Sequence, residues 1–310
     1  MLKEVGLLFP GQGAQAVGMG HDFYQASPET RAVFDKADQW LGFPLTQLCF
    51  QGPDTELTRT VNAQIAIFVT SLALLACVRA RFPNLKPVLA CGLSLGEFTA
   101  LVALEAISFE DGLKLVKHRG EAMEEAAQKN PGTMASILGL SIEDCLMICN
   151  ETGAKLANLN SANQLVISGS GEHISKASEL ARSKGAKRVI ALKVGGAFHS
   201  PLMEPARTHL EAALKTVKIN RPKGVFIPNV TAQPEANPKA IERLLSQQLT
   251  SPVQWIKTME YIGQNGPKDY LEIGPGKVLK GLARQNNPEL NVVSVEKISD
   301  VEQLNQAAVN

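Results

Sequence analysis

The sequence lacks a dense set of cysteines and a surplus of charge of either sign. Five cysteines, an odd number, are spread over 310 residues. So few thiols exclude a disulfide-stapled secreted domain and predict free, buried thiols in a reducing compartment. The 31 basic and 30 acidic side chains leave a formal net charge of +1, so nothing indicates a protein that binds nucleic acid or a charged membrane surface. We therefore expect a cytoplasmic protein.

The sequence also lacks a long, unbroken apolar run. The uncharged stretch 61–78 contains Asn62 and Gln64, and its purely apolar part is shorter than the roughly 20 residues that a bilayer requires. It is predicted to be a buried helix of a soluble protein. The apolar stretch Val5–Phe9 stops at Pro10, too soon for the core of a signal peptide.

What is present is an ordinary globular composition, with 45% hydrophobic and 20% charged residues. This balance argues against global disorder. The length exceeds what one core usually needs, which favours one large domain with an insertion, or two domains.

Short apolar runs that end in glycine or proline turns alternate with helical stretches, the pattern of an α/β fold. The predicted buried strands are 7–9, 88–91 and 270–273, and the predicted helices are 22–41, 61–78 and 97–106, with Phe23, Phe34 and Trp40 as core anchors.

A second rhythm occupies the middle of the chain, with strands at 134–138, 164–169 and 186–192 and helices at 142–150 and 174–184. This β-α-β-β-α-β-like run indicates a small ferredoxin-like α+β insertion. We therefore predict a catalytic domain formed by 1–129 and 196–310, with an inserted subdomain at 130–195.

The segment Gly92–Gly96 reads GLSLG and matches the G-x-S-x-G nucleophile elbow. An elbow projects its serine from a tight turn between a strand and a helix, and the helix N-terminus favours negative charge there. The predicted strand before Gly92 and helix after Gly96 supply that context. The alternative is an ordinary glycine-flanked turn.

A serine nucleophile needs a base within hydrogen-bond reach. Among five histidines, His199 stands out because GGAFHSP (195–201) sets it in a turn at a strand end, where active-site side chains of α/β folds gather. No acid is singled out as a third member. Cys145 and Cys149 have the spacing of one helix face, but no second Cys/His pair completes a metal site, so we predict core thiols and no metal.

Six motifs, taken in order, are similar to those of one family across essentially the whole chain. They are FPGQGAQAVGMG (9–20), GLSLGEFTALV (92–102), KHRG (117–120), GAFHSPLM (196–203), SPVQW (251–255) and EIGPGKVL (272–279). Together they resemble the malonyl-CoA:acyl carrier protein transacylases of fatty-acid synthesis. The fold implied is an α/β-hydrolase-like core, with a mainly parallel sheet, that carries a ferredoxin-like insertion.

The resemblance implies the catalytic groups. Ser94 matches the acylated serine and His199 matches its base. Gln248 matches the position whose backbone carbonyl orients that histidine. The backbone amides of Gln12 and Leu95 match the oxyanion hole.

The resemblance also implies the substrate contacts. Arg119 matches the arginine that holds the free malonyl carboxylate, and a planar guanidinium fits a carboxylate in two-pronged fashion. Gln64, Asn160 and Asn229 match polar groups that line the cleft, and Phe198 matches the malonyl-type pattern.

Two alternatives qualify these assignments. Arg119 could instead be a solvated helix residue that pairs with Glu124. Leu93 stands where the family usually has histidine. This difference either changes the polarity or acyl preference beside Ser94, or is a neutral exchange for an apolar residue.

We expect malonyl transfer from malonyl-CoA to acyl carrier protein by a monomer with no cofactor. The alternatives are an acyltransferase of a polyketide synthase, a serine thioesterase or hydrolase, and a non-catalytic docking subunit. Basic residues such as Lys184, Lys187 and Arg188 are either solvated or receive the acidic carrier.

Overall fold

A computed structural model describes residues 4–307, which form two β-sheets with helices around them. The first sheet is five-stranded and parallel, in the order β7-β2-β1-β8-β9. Its strands are β1 (Glu4–Phe9), β2 (Lys86–Gly92), β7 (Val225–Phe226), β8 (Asp269–Ile273) and β9 (Asn291–Val295).

The second sheet is antiparallel, in the order β4-β5-β3-β6. Its strands are β3 (Thr133–Leu138), β4 (Lys155–Ser161), β5 (Gln164–Gly169) and β6 (Arg188–Ala191). With a helix after the first strand and another after the third, this is the ferredoxin-like arrangement. The sequence patterns had not marked β4 as a separate strand. All four strands lie inside the predicted insertion 130–195, whose exact limits stay a prediction.

The α-helices pack on both faces of the parallel sheet and on one side of the small sheet. They are α1 (His21–Ala26), α2 (Pro28–Leu41), α3 (Leu45–Gln51), α4 (Asp54–Leu57), α5 (Thr60–Arg81), α6 (Gly96–Ala103), α7 (Phe109–Lys129), α8 (Ile142–Thr152), α9 (Gly171–Ser183), α10 (Glu204–Leu214), α11 (Pro238–Gln247), α12 (Trp255–Asn265), α13 (Val278–Asn286) and α14 (Ile298–Ala307). Short 3-10 turns span Pro201–Met203 and Gln248–Thr250.

The predicted helix 22–41 is in fact two helices. Ser27 adopts an extended conformation and its side chain accepts a hydrogen bond from the Thr30 amide, which caps a new helix that starts at Pro28. Trp40 is not a core anchor, because it is 40% exposed whereas Phe34 is fully buried. Six residues after Phe34, at 3.6 residues per turn, Trp40 lies on a different helix face.

The uncharged stretch 61–78 forms the middle of α5. Among the described residues this helix is long and apolar enough to cross a membrane, but 83% of its most apolar window is buried inside the fold. It packs against α2 and α7, and its burial accounts for the lack of charge.

The small sheet is joined to the segment before α12 and to α13 at the edge of β4. The Leu159 amide donates to the Val253 carbonyl at 2.9 Å, and the Val253 amide donates to the Ala157 carbonyl at 2.8 Å. Asn286 on α13 adds a hydrogen bond from its side-chain amide to the Asn160 carbonyl at 2.8 Å. The small sheet therefore closes one side of a cleft over the carboxyl ends of β1 and β2.

Candidate active site

Ser94 lies in a sharp turn between β2 and α6. Its backbone has a φ of 53°, a left-handed conformation that is uncommon for residues other than glycine. A side chain at Gly92 would collide with the backbone of Gly96, and one at Gly96 would collide with the Phe9 carbonyl. The glycines therefore permit the close backbone approach that the elbow requires, as the sequence indicated.

His199 is in direct contact with Ser94. The Nε2 atom lies 2.9 Å from Ser94 Oγ, and Nδ1 lies 2.8 Å from the backbone carbonyl of Gln248. Since a carbonyl only accepts, Nδ1 carries the proton and Nε2 is free to accept from the serine hydroxyl. Burial, reinforced by the nearby Arg119 cation, lowers the pKa of His199 to about 4. The imidazole is thus neutral at pH 7, the form a general base needs.

Arg119 on α7 points into the same site and is only 1% exposed. Its Nη1 donates to Gln64 Oε1 at 2.6 Å, and its Nη2 donates to Ser94 Oγ and to Gln248 Oε1, both at 2.8 Å. The alternative partner Glu124 is not used, because its carboxylate pairs with Arg59 at 2.8 Å. The interpretation of Arg119 as a solvated helix residue is therefore wrong.

Glu97 is a buried carboxylate that the sequence analysis missed. It lies in the first turn of α6, three residues after Ser94, and is fully buried. Its Oε1 accepts from the Asn229 amide and its Oε2 accepts from Gln248 Nε2. Burial raises its pKa to about 8, against these two hydrogen bonds and the Arg119 charge, which lower it. A glutamate inside an otherwise apolar helix was the available signal.

Asn229 and Gln64 lie behind the cleft, where both are fully buried. Asn229 accepts from the Ser94 amide and donates to the Gly92 carbonyl, both at 2.7 Å. The expectation that these two residues line the cleft is wrong. They hold the groups that do, since Asn229 fixes the elbow and Gln64 fixes Arg119.

The two residues proposed for the oxyanion hole lie close to Ser94, since Gln12 lines the same cleft and Leu95 follows Ser94 directly in the chain. Gln12 belongs to the turn after β1, and Leu95 is the first residue of the turn after Ser94. Among the described residues, neither amide donates a hydrogen bond to a protein acceptor. Such unengaged N–H groups beside a nucleophile are what a developing oxyanion requires.

The cleft between the two sheets has a volume of about 290 Å³. Asn160 and Phe198 line it, as expected, and the Asn160 Oδ1 atom has no hydrogen-bond partner among the described residues. Leu93 also faces it, so the departure from the family pattern lies at the wall of the site. The other lining residues are Pro10, Gly11, Gln12, Gly13, Ala14, Ser94, Arg119, Met123, Met134, Ser136, Asn158, Gln164, Val166, Leu192, Val194, His199 and Val278.

No cluster of three or more metal-binding side chains occurs within residues 4–307. Cys145 and Cys149 are buried on α8 as free thiols, and burial raises the pKa of Cys145 to about 11 and of Cys149 to about 12. Their assignment as core thiols is confirmed.

Comparison with known proteins agrees with this geometry. The family model described as "Acyl transferase domain" matches residues 7–304. A malonyl CoA-acyl carrier protein transacylase of Bacillus subtilis is 40% identical over 306 residues, which cover 97% of this chain and 96% of the relative. This chain belongs to the malonyl-CoA:acyl carrier protein transacylase family. It is an acyltransferase.

Solved structures of the family share the whole fold. An acyl-carrier-protein-S-malonyltransferase from Bartonella henselae superimposes with a TM-score of 0.94 at 37% identity, covering 99% of this chain and 100% of that one. A malonyl-transacylase in complex with a type II PKS acyl-carrier protein gives 0.93 at 34% identity, covering 98% and 99%. The predicted fold class is confirmed.

Proposed function

We propose that this protein transfers a malonyl group from malonyl-CoA to the phosphopantetheine thiol of an acyl carrier protein, through an ester on Ser94. The observation that carries the proposal is the double contact of Ser94 Oγ, 2.9 Å from the His199 base and 2.8 Å from the Arg119 guanidinium. A nucleophile beside a buried cation suits an acyl group that ends in a free carboxylate.

In the first half of the reaction, Ser94 Oγ attacks the thioester carbonyl and its proton passes to His199 Nε2. The carbonyl oxygen becomes an oxyanion within reach of the Gln12 and Leu95 amides. The C–S bond then breaks, and the coenzyme A thiolate takes the proton from His199. The malonyl carboxylate pairs with Arg119 during these steps.

In the second half, the carrier thiol gives its proton to the neutral His199, and the thiolate attacks the malonyl ester. The ester C–O bond breaks and Ser94 Oγ regains a proton from His199. Side chains and backbone amides supply every group in this ping-pong cycle. We propose that a monomer in the cytoplasm carries it out.

Two pathways could use the product. Fatty-acid synthesis is the use we propose, and the structural neighbour bound to a type II PKS acyl-carrier protein supports polyketide synthesis as the second candidate. Transfer rates to one purified carrier protein of each kind would separate them, because the cognate carrier should give the higher kcat/KM.

The test of the function is incubation with malonyl-CoA, acetyl-CoA or methylmalonyl-CoA, followed by intact mass and then by addition of acyl carrier protein. We expect a malonyl adduct on wild type, none on Ser94→Ala, and loss of the adduct to the carrier. Rapid release of free malonate without carrier would instead indicate a thioesterase. Absence of any adduct on Ser94 would leave a non-catalytic docking role.

A further inference from the structure

Glu97 is a fully buried carboxylate that touches neither the cleft nor Ser94 Oγ, so the proposed cycle gives it no role. We propose that Glu97 is a positioning residue that aims Arg119 at the substrate carboxylate, through the side-chain amide of Gln248. The inference rests on the proposed malonyl transfer. It means that part of the selectivity for an acyl group with a free carboxylate depends on buried Glu97.

Both side-chain oxygens of Glu97 accept hydrogen bonds. Among residues 4–307, the hydrogen-bond partners of these oxygens are two N–H donors, namely the backbone amide of Asn229 and Nε2 of Gln248. A carboxylate accepts at both oxygens, whereas a neutral amide in its place presents one donor end. A protonated carboxyl would point its O–H at one of these two N–H donors, so the donors and the charge of Arg119 favour the ionised acid and act against the burial that raises its pKa.

Glu97 fixes the orientation of the Gln248 side-chain amide. Its Nε2 donates to Glu97 and, at 2.9 Å, to the Ser94 carbonyl. With the nitrogen held there by two acceptors, Oε1 must face the opposite side, where it accepts from Arg119 Nη2 at 2.8 Å. The Glu97 carboxylate thus orients the Gln248 amide so that its oxygen, and not its nitrogen, faces Arg119.

The side-chain contacts that run from Glu97 through Gln248 to Arg119, here called the relay, do not hold the base His199. The backbone carbonyl of Gln248, not its side chain, holds His199 Nδ1 at 2.8 Å. A rotation of the Gln248 amide therefore leaves the base in position while it displaces the guanidinium. Both acylations share the contact of Arg119 Nη2 with Ser94 Oγ at 2.8 Å, but only malonyl-CoA also needs the carboxylate clamp. The relay from Glu97 through Gln248 to Arg119 should therefore act on the malonyl-to-acetyl ratio.

Glu97→Gln tests the relay with almost no change in volume. Its new amide must keep oxygen toward the fixed Asn229 N–H, so its nitrogen faces Gln248 Nε2, and two donors oppose each other. Gln248 relieves this by rotating, which turns Nε2 toward Arg119 and repels it. We expect the malonyl-to-acetyl ratio of acylation kcat/KM to fall by about tenfold to a hundredfold, as for loss of one hydrogen bond to a charged group.

Glu97→Asp separates charge from packing. Aspartate keeps the carboxylate but leaves a gap, whereas glutamine fills the space and removes the charge. We expect the ratio for Glu97→Asp to lie between wild type and Glu97→Gln. If the ratio of Glu97→Gln is closer to wild type than the ratio of Glu97→Asp, then Glu97 only fills space. That result would overturn the proposal.

Glu272→Gln is the matched control. Glu272 is also fully buried and accepts from the Leu279 amide at 2.7 Å, the Lys280 amide at 3.0 Å and Ser294 Oγ at 2.8 Å, away from Arg119. It should lower the melting temperature without changing the ratio. Equal losses for both thioesters in Glu97→Gln, as in this control, would make Glu97 merely structural.

Gln248→Met gives a second route if Glu97→Gln does not fold. It removes the side-chain amide and keeps both the volume and the backbone carbonyl that holds His199. We expect the same fall in ratio, and no further fall in the double variant, since both changes break one relay. An unchanged ratio in Gln248→Met would refute the inference. If wild type itself forms no malonyl adduct, the proposed function fails instead.

Discussion

Replacement of Arg119 by alanine should slow acylation by malonyl-CoA far more than acylation by acetyl-CoA. Arg119 is 1% exposed, and its guanidinium donates hydrogen bonds to Gln64, Gln248 and Ser94 Oγ. In Arg119→Ala, a malonyl carboxylate would enter the same cleft without its cation. Breaking such a buried charge pair costs about 3–5 kcal/mol.

At about 1.4 kcal/mol per decade of rate, that cost is a fall of roughly two to three and a half decades in acylation by malonyl-CoA. The hydrogen bond from Arg119 Nη2 to Ser94 Oγ, at 2.8 Å, is lost for every substrate, so acetyl-CoA also slows. The quantity to measure is therefore the malonyl-to-acetyl ratio of kcat/KM. It removes the shared loss and isolates the carboxylate contact.

Single-turnover acylation followed by intact mass gives both rates for wild type, Arg119→Lys and Arg119→Ala. Lysine should restore part of the ratio, because a point charge lacks the two-pronged geometry. Arg59→Ala is the control. Arg59 is half exposed and pairs at 2.8 Å with Glu124, which lies on the same helix as Arg119. The malonyl-to-acetyl ratio of this variant should match wild type. Equal loss of both acylations in Arg119→Ala would show a structural role and refute the reasoning.

Three further outcomes are expected. Ser94→Ala should form no adduct yet keep the wild-type melting temperature, since it removes one hydroxyl from a turn; residual transfer would refute the nucleophile assignment. His199→Ala should slow acylation by about two to four decades, and a milder effect than another histidine variant would identify a different base. Because burial lowers the pKa of His199 to about 4, acetyl-CoA acylation by wild type should hold from pH 7 to 5 and fall near pH 4, as the imidazole gains a proton; a midpoint near 6.5 would contradict that environment.

The sequence predicted those parts of the site that local patterns encode. The elbow is readable because its glycines, its strand and its helix are contiguous, and His199 is readable because few histidines compete with it. The contacts of Gln248 and Asn229 with Ser94 cannot be read from local sequence, since these residues lie 154 and 135 positions after Ser94 in the chain. A side-chain amide gives no local signal of its partner.

Two misjudgements have physical causes in particular residues. Glu97 was missed because a glutamate in a helix is ordinarily a surface residue, and only the tertiary structure shows that seven of the eight residues of α6 are buried. Gln64 and Asn229 were assigned to the cleft wall because the resemblance gives their positions but not the direction in which each side chain points. The expected monomer and the cytoplasmic location stay predictions.

The hydrogen bonds along the edge of β4 have a consequence for how acyl preference could diverge. They fasten a wall of the cleft, with Asn160 in it, to Val253 and Asn286, while the reacting serine and its base sit on separate stretches of chain. Substitutions between Thr133 and Ala191 can therefore reshape the chamber without disturbing the chemistry. Replacing that segment with the one from a homologue of different acyl preference, with the β4 edge preserved, should transfer that acyl preference. The arrangement of Ser94 and His199 should stay unchanged.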